Sequence, residues 1–167
     1  RVTLSSDGNL QAKAREARYA LLEQVAGESA CIATGHTRTD QAETLLHRIL
    51  RGTGLRGLAG IRFRQGRWVR PLLTVSREET RGAGFSFHDD PSNDTDRFAR
   101  NRLRHHLMPL LAEENPHIER ALAALAGAAQ DEMTLVNALT EAWESEVGLE
   151  GFPSHLVEVL VRWRARA

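Results

Sequence analysis

A short helical segment carries acidic, imidazole and guanidinium side chains at spacings that place them on one face. Asp40, Glu43, His47 and Arg51 follow one another at steps of three, four and four residues, which return to the same side of an α-helix. Two carboxylates three residues apart can hold a Mg²⁺ ion or a substrate ammonium group. The alternative is an ordinary solvated polar face. In both cases we expect substitution of Asp40 or Glu43 to change folding little, because this face points away from Leu45 and Ile49.

The elements around this segment place its beginning at the edge of a sheet. The apolar run Ala30 to Thr34 predicts a buried parallel strand, and a helix is expected from about Thr39 to Arg51, ended by Gly52. Ligands of open α/β sheets bind at the carboxyl ends of strands, beside helix N-termini. His36 is therefore expected at such an edge. The apolar residues of the helix fall on the opposite side and are expected to pack on the sheet: Leu45, Leu46 and Ile49.

The order of the other elements predicts an α/β unit followed by a mainly helical region. Asn115-Pro116 marks the boundary between them, because proline starts a helix well and interrupts one badly. We therefore assign residues 1–114 to an α/β domain and 115–167 to a helical region. The remaining expectations are strands at 1–5 and 85–87, a hairpin of 61–63 with 68–69, a helix at 10–26, a short helix capped by Ser76, and helices at 97–113, 116–147 and 154–166.

A second group of polar side chains lies in the first of the late helices. Arg97, Arg100, Asn101 and Arg104 are spaced to share one helical face, and arginines arranged in this way can grip phosphate groups. The alternative is a solvated basic stripe.

Charge is distributed unevenly along a chain whose formal net charge is zero. Residues 48–104 contain 13 arginines and six acidic residues, a net +7, whereas residues 105–167 carry a net −6. This distribution favours an anionic partner for the middle of the chain, although two halves that neutralise each other are an alternative. Neither a bilayer-spanning apolar run nor a signal peptide is apparent, and the single cysteine, Cys31, fits a reducing cytoplasm.

Four ordered segments resemble the tRNA(Ile)-lysidine synthetases, a family of PP-loop ATP pyrophosphatases. Residues 33–60 (ATGHTRTDQAETLLHRILRGTGLRGLAG) follow the pattern of that family closely, except that Thr37 and Thr39 replace a frequent histidine and aspartate. Residues 70–77 (RPLLTVSR), 88–111 (HDDPSNDTDRFARNRLRHHLMPLL) and 8–19 (GNLQAKAREARY) supply the other matches. The resemblance covers about residues 8–120 and implies a partial Rossmann-like PP-loop ATPase domain.

The resemblance also implies an activity and roles for individual residues. Members use ATP to adenylate the wobble cytidine in the anticodon loop of a minor isoleucine tRNA, after which the amine of lysine displaces AMP and leaves lysidine; Mg²⁺ is expected with the ATP. By this resemblance Asp40 and Glu43 contact lysine or cytidine, whereas His36 and Arg51 position the nucleotide or base, and all four are candidate catalytic residues. The substrate or tRNA contacts are assigned to Arg56, Arg97, Arg100, Asn101 and Arg104. No metal ligand is assigned, and a homodimer is left open.

One motif of the family is not found in the printed residues. Its SGGxDS loop cradles the ATP phosphates with backbone N–H groups, and no Ser-Gly-Gly sequence occurs here. We therefore expect this chain by itself not to form lysidine. Three alternatives are a non-catalytic tRNA-binding remnant, another PP-loop tRNA-modifying enzyme and a plain helical interaction module. A thiolating enzyme commonly uses pairs of cysteines, which one cysteine disfavours, and a plain module leaves the four ordered segments unexplained.

Overall fold

A small sheet with helices around it is followed by two longer helical stretches. The structure is a computed structural model that describes residues 10–86, 95–96, 98–146, 153, 156 and 158–159. The elements are α1 (Leu10–Ala26), β1 (Ile32–Ala33), α2 (Arg38–Leu50), α3 (Leu55–Leu58), β2 (Arg64–Gln65), β3 (Trp68–Val69), α4 (Arg77–Arg81), α5 (Ala99–Arg102), a π-helical segment (Leu103–Leu107), α6 (Met108–Glu114) and α7 (Ile118–Glu146).

The sheet combines one parallel and one antiparallel pairing in the order β1-β3-β2. Ile32 lies opposite Trp68 in the parallel pair, and Gln65 lies opposite Trp68 in the hairpin. Gly66 turns this hairpin with a φ of 58°, a left-handed conformation that glycine adopts without strain. The described sheet thus agrees with an α/β fold, and one of its two pairings is parallel, while the Rossmann-like parallel sheet as a whole stays a prediction.

Helix α2 begins at a strong local signal and packs its apolar side against the late helices. The Thr37 side chain caps the N-terminus, and the backbone N–H of Thr37 donates to Oδ2 of Asp40 at 2.8 Å, which completes a capping box. The residues that join α2, α6 and α7 in one core are Ala42, Leu45, Leu46, Met108, Leu122 and Ala126. This core contains residues from both sides of position 115, and the predicted domain boundary there stays a prediction.

Most predicted helices are confirmed within about two residues. Other expectations differ from the structure. Leu45 and Leu46 pack against the late helices rather than on the sheet, and Ile49 is 42% exposed. The predicted buried strand is shortened to Ile32–Ala33, of which only Ile32 is buried, the first strand of the hairpin is Arg64–Gln65 rather than 61–63, and Phe85 is in no strand. The helix predicted from 97 begins at Ala99 and includes the π-helical segment. The predicted strand at 1–5, Phe87 and Arg97 lie outside the described residues. Of the helix expected at 154–166, only Leu156, Glu158 and Val159 are described, and these are helical.

Among the described helices, none has the length and apolar character that crossing a membrane requires.

Candidate functional site

A completely buried carboxylate lies on α2 and is bound by arginines from later in the chain. Glu43 has no exposed surface. Its Oε1 accepts from Nε of Arg104 at 2.6 Å, and its Oε2 accepts from Nε of Arg100 at 2.6 Å and from Nη2 of Arg104 at 3.1 Å. Arg77 adds a longer contact of 3.5 Å from Nη1 to Oε1. Both oxygens of Glu43 are therefore occupied by guanidinium groups.

Asp40, one turn earlier on α2, shares two of these arginines. Its Oδ1 accepts from Nη2 of Arg100 at 2.8 Å and from Nη2 of Arg77 at 3.1 Å, while its Oδ2 accepts from the backbone and hydroxyl of Thr37. Burial alone would raise the pKa of Asp40, but the Thr37 N–H and the arginines outweigh it and hold the pKa below its ordinary value. Asp40 is therefore an ionised carboxylate at neutral pH.

Two local devices bring the arginines to α2. Arg77 is the first residue of α4, whose N-terminus is fixed by a capping box between Ser76 and Glu79, and its backbone N–H donates to Oγ1 of Thr39 at 3.1 Å. Arg100 lies in α5 and Arg104 in the π-helical segment. The two are four residues apart on the continuous helix of α5, the π-helical segment and α6, which packs on α2. The five residues Asp40, Glu43, Arg77, Arg100 and Arg104 are called the carboxylate–arginine cluster below.

His36 lies between this cluster and a second set of arginines. Its Nδ1 is 2.9 Å from Oγ1 of Thr34. Burial lowers the pKa of His36, the charge of Asp40 opposes this, and Arg15, Arg70 and Arg100 lower the pKa further. The imidazole is consequently neutral at neutral pH, which suits a proton acceptor or a hydrogen-bonding group more than a cation.

The charges of the cluster decide which groups it can bind. Three guanidinium groups against two carboxylates leave a net charge of +1, and the most exposed member, Arg100, has 41% of its side chain accessible. An anionic group such as a phosphate fits this surplus. A Mg²⁺ ion on Asp40 and Glu43 does not, because it would have to displace the arginines from both carboxylates. Among the described residues there is also no group of three or more side chains suited to a metal ion.

The other predicted site residues do not belong to the carboxylate–arginine cluster. Arg51 lies at the C-terminal end of α2, about 20 Å along the helix axis from His36, and lines a separate, mainly apolar pocket with His47 and His106. Asn101 is buried and donates from its amide to the Thr95 carbonyl at 2.7 Å, which holds the segment before α5. Arg97 lies outside the described residues.

The structure thus brings together Asp40, Glu43, Arg100 and Arg104, with His36 beside them, and leaves Arg51 apart. The solvated-face alternative is wrong for Glu43, which is completely buried, and Asp40 is partly buried, with both carboxylates paired with arginines.

Arg56 lines a wide cavity on another side of α2. The cavity has a volume of about 1220 Å³ and is called the arginine cleft below. It is bounded by the loop from Gly52 to Ile61, by α1 and by the β2–β3 hairpin, and Met133 of α7 contributes to one wall. The arginines that line it are Arg15, Arg48, Arg56, Arg62 and Arg70.

Sequence reasoning did not assign a role to Arg77. Its segment was recognised only as the pattern RPLLTVSR, whereas its guanidinium contacts both Asp40 and Glu43. The available signal was the capping box formed by Ser76 and Glu79, which predicts that a helix N-terminus, and hence the first helical side chain, is held rigidly there.

Comparison with known proteins agrees with this α/β fold. The family model described as the PP-loop domain matches residues 2–111, and the chain belongs to that family.

The similar proteins carry a more specific name than the family model does. A protein of Pseudomonas syringae pv. tomato is 44% identical over 135 residues, which are 76% of this chain and 30% of that protein. A protein of Thermobifida fusca is 40% identical over 154 residues, covering 88% of this chain and 48% of that protein. A protein of Thermus thermophilus is 43% identical over 148 residues, covering 85% of this chain and 29% of that protein. All three are named tRNA(Ile)-lysidine synthase, and this chain spans less than half of the length of each.

Proposed function

We propose that this chain provides part of the active site of an enzyme that ligates lysine to C2 of the wobble cytidine of a minor isoleucine tRNA, at the expense of ATP. The observation that carries the proposal is the carboxylate–arginine cluster beside a neutral histidine, in a PP-loop domain whose relatives share the name tRNA(Ile)-lysidine synthase. A tRNA substrate and ATP suit a cytoplasmic enzyme.

Each step of this reaction has a matching group in the described structure. Adenylation of the cytidine O2 releases pyrophosphate, and the lysine amine then attacks C2 and releases AMP. The surplus positive charge of the cluster, presented by Arg100, suits the phosphate of the departing AMP. The neutral His36 suits acceptance of the proton that the lysine ammonium must lose before it attacks. Mg²⁺, if it takes part, belongs with the ATP phosphates rather than on Asp40 and Glu43.

The two carboxylates have different roles in this proposal. Glu43 is completely buried, with both oxygens taken by arginines, so it acts as a positioning residue that fixes Arg100 and Arg104. The Asp40 side chain keeps 14% of its surface accessible, so of the two carboxylates it is the one that an incoming ammonium group can reach, in place of the 3.1 Å contact from Arg77. Arg51, at the far end of α2, is the weakest of the predicted catalytic residues, because it is too distant to share one small ligand with His36.

A chimaeric enzyme tests this function. Residues 10–146 replace the matching segment of the Pseudomonas syringae relative, and incorporation of labelled lysine into a transcript of isoleucine tRNA is measured with ATP present. We expect lysine transfer, and we expect Asp40→Asn to reduce its rate at least about tenfold, because the substitution removes charge where a cation binds.

Asp131→Asn is the matched control, since it makes the same chemical change on an exposed position of α7 and should leave the rate unchanged. A folded chimaera that binds the tRNA but transfers no lysine would reject the proposed function and favour a non-catalytic tRNA-binding module. Equal rates in the Asp40→Asn and Asp131→Asn variants would reject the role of Asp40 alone.

A further inference from the structure

The arginine cleft is a large basic cavity that the carboxylate–arginine cluster does not use. Its volume of about 1220 Å³ exceeds the roughly 300–1,000 Å³ of typical small-molecule pockets. Five arginines line it, and no acidic residue of the described part of the chain does. The five come from separate places along the chain, namely α1, α2, α3, the loop after α3 and the residue after β3, so the charge is distributed along the walls rather than held at one point.

The deeper arginines are held in position by backbone carbonyl groups. Arg48 donates from Nη1 to the carbonyl oxygens of Gly57 and Gly60, at 2.9 and 3.1 Å, and Arg70 donates from Nη1 to the Arg62 carbonyl at 2.8 Å. These bonds leave the guanidinium charges uncompensated, because carbonyl groups accept hydrogen bonds without carrying a negative charge. The cleft is therefore a preorganised positive surface.

One of these arginines has a polar atom without a partner. Arg70 is only 6% exposed, and its Nε is buried without a hydrogen bond among the described residues. A buried donor left in this state is costly, and an anionic ligand close to it reduces that cost. Arg56 and Arg62 are exposed and make no side-chain hydrogen bond or ion pair within the part of the chain that the structure describes. They are therefore available to a ligand.

The cleft also approaches the proposed active site. His36 senses the charges of Arg15 and Arg70 from the cleft as well as those of Asp40 and Arg100 from the cluster. Arg15 and Arg70 line the cleft, so the cleft lies on the side of His36 from which these charges act.

We propose that the arginine cleft binds the phosphodiester backbone of the single-stranded RNA segment that carries the reacting base. The identity of the RNA rests on the proposed function. The location of its binding site rests on the geometry of the cleft. An extended strand, with one charge per nucleotide, matches several separated guanidinium groups, whereas a mononucleotide concentrates its phosphates at one end.

The test measures binding of the 167-residue chain to a fluorescein-labelled RNA hairpin of the isoleucine tRNA anticodon arm, at several salt concentrations. The variant Arg56→Gln/Arg62→Gln removes two exposed charges from the cleft. If each contacts one phosphate, the slope of log K against log salt should fall by about 1.4, and affinity at about 50 mM salt should fall by roughly 60-fold relative to about 1 M salt, where the two proteins should bind alike. The matched control is Arg18→Gln/Arg120→Gln, which removes two exposed charges outside the cleft and should change both quantities little.

The possible outcomes separate this inference from the proposed function. A loss confined to the Arg56→Gln/Arg62→Gln variant supports it, provided that the circular dichroism melts of both variants match the unmodified chain. Equal losses in the two variants, or no salt dependence, would overturn the cleft as the binding place. Displacement of the RNA by ATP at comparable concentration would show instead that the cleft holds a mononucleotide. Lysine transfer by the chimaera is read independently, so either proposal can fail while the other stands.

Discussion

Removing the charge of Glu43 should destabilise the whole fold. Glu43→Gln keeps the shape of the side chain but turns an acceptor of four arginine contacts into an amide whose NH₂ faces guanidinium donors. Breaking a buried ion pair costs about 3–5 kcal/mol. The arginine side chains are 22–41% exposed, so water can solvate them again, and we expect a loss of about 2–4 kcal/mol in the free energy of unfolding. For a chain of this length the melting temperature should fall by about 5–15 °C.

Urea unfolding followed by circular dichroism measures this loss. Glu132→Gln is the matched control, because it makes the same change on an exposed position of α7 and should stay within about 0.5 kcal/mol of the unmodified chain. If Glu43→Gln unfolds at the same urea concentration as Glu132→Gln, the burial of this carboxylate contributes nothing to stability and the reasoning is wrong. The double variant Glu43→Gln/Arg104→Gln should be less destabilised than the sum of its parts, since each single change leaves the other partner uncompensated.

Two further predictions concern the backbone near α2 and the titration of Asp40. Gly60 has a φ of 57°, and a methyl group there would lie 2.6 Å from Oε1 of Gln41, so Gly60→Ala should cost about 1–3 kcal/mol more than Gly66→Ala, whose φ is similar but whose surroundings are open; equal urea midpoints would contradict this. Because the folded pKa of Asp40 is lowered, its carboxylate stabilises the fold above the unfolded pKa of about 3.9, and this contribution is lost as pH falls through the folded value. The difference in unfolding free energy between the unmodified chain and Asp40→Asn should therefore be constant above about pH 5 and shrink below about pH 4, and a constant difference down to pH 3 would refute the assignment.

Local signals in the sequence were sufficient for most of the described elements. The periodic apolar residues of α1 predicted its bounds, and Ser76 with Glu79 three positions later predicted the start of α4. Thr37 and Asp40 have the same spacing at the start of α2, which the sequence analysis placed at about Thr39. Such signals act over a few residues, so they can be recognised without knowing the fold. The expected strand at Phe85 had no such support beyond its composition, and the described residues there are not a strand.

The candidate site was predicted in its members but not in its geometry. The spacing of Asp40 and Glu43 placed them on one face of α2, yet it could not show that this face is covered. The arginines that cover it lie 34 to 61 positions later in the chain, and long-range ion pairs leave no periodic pattern in sequence. For the same reason Glu43 was expected to bind a ligand. In the structure, both of its carboxylate oxygens accept hydrogen bonds from arginines instead.

The π-helical segment lies in the continuous helix from α5 to α6, which makes two separate sets of contacts with α2. Arg100 and Arg104 must face Glu43, and Met108, just after the segment, must face Ala42 and Leu45 in the core. A π-helical turn holds one residue more than an α-helical turn over nearly the same rotation, so the residues before and after the segment keep their contacts with α2. In a regular α-helix, one extra residue would rotate everything beyond it by about 100°. The segment therefore accommodates an additional residue without separating the ion pairs of Arg100 and Arg104 from the core contact of Met108.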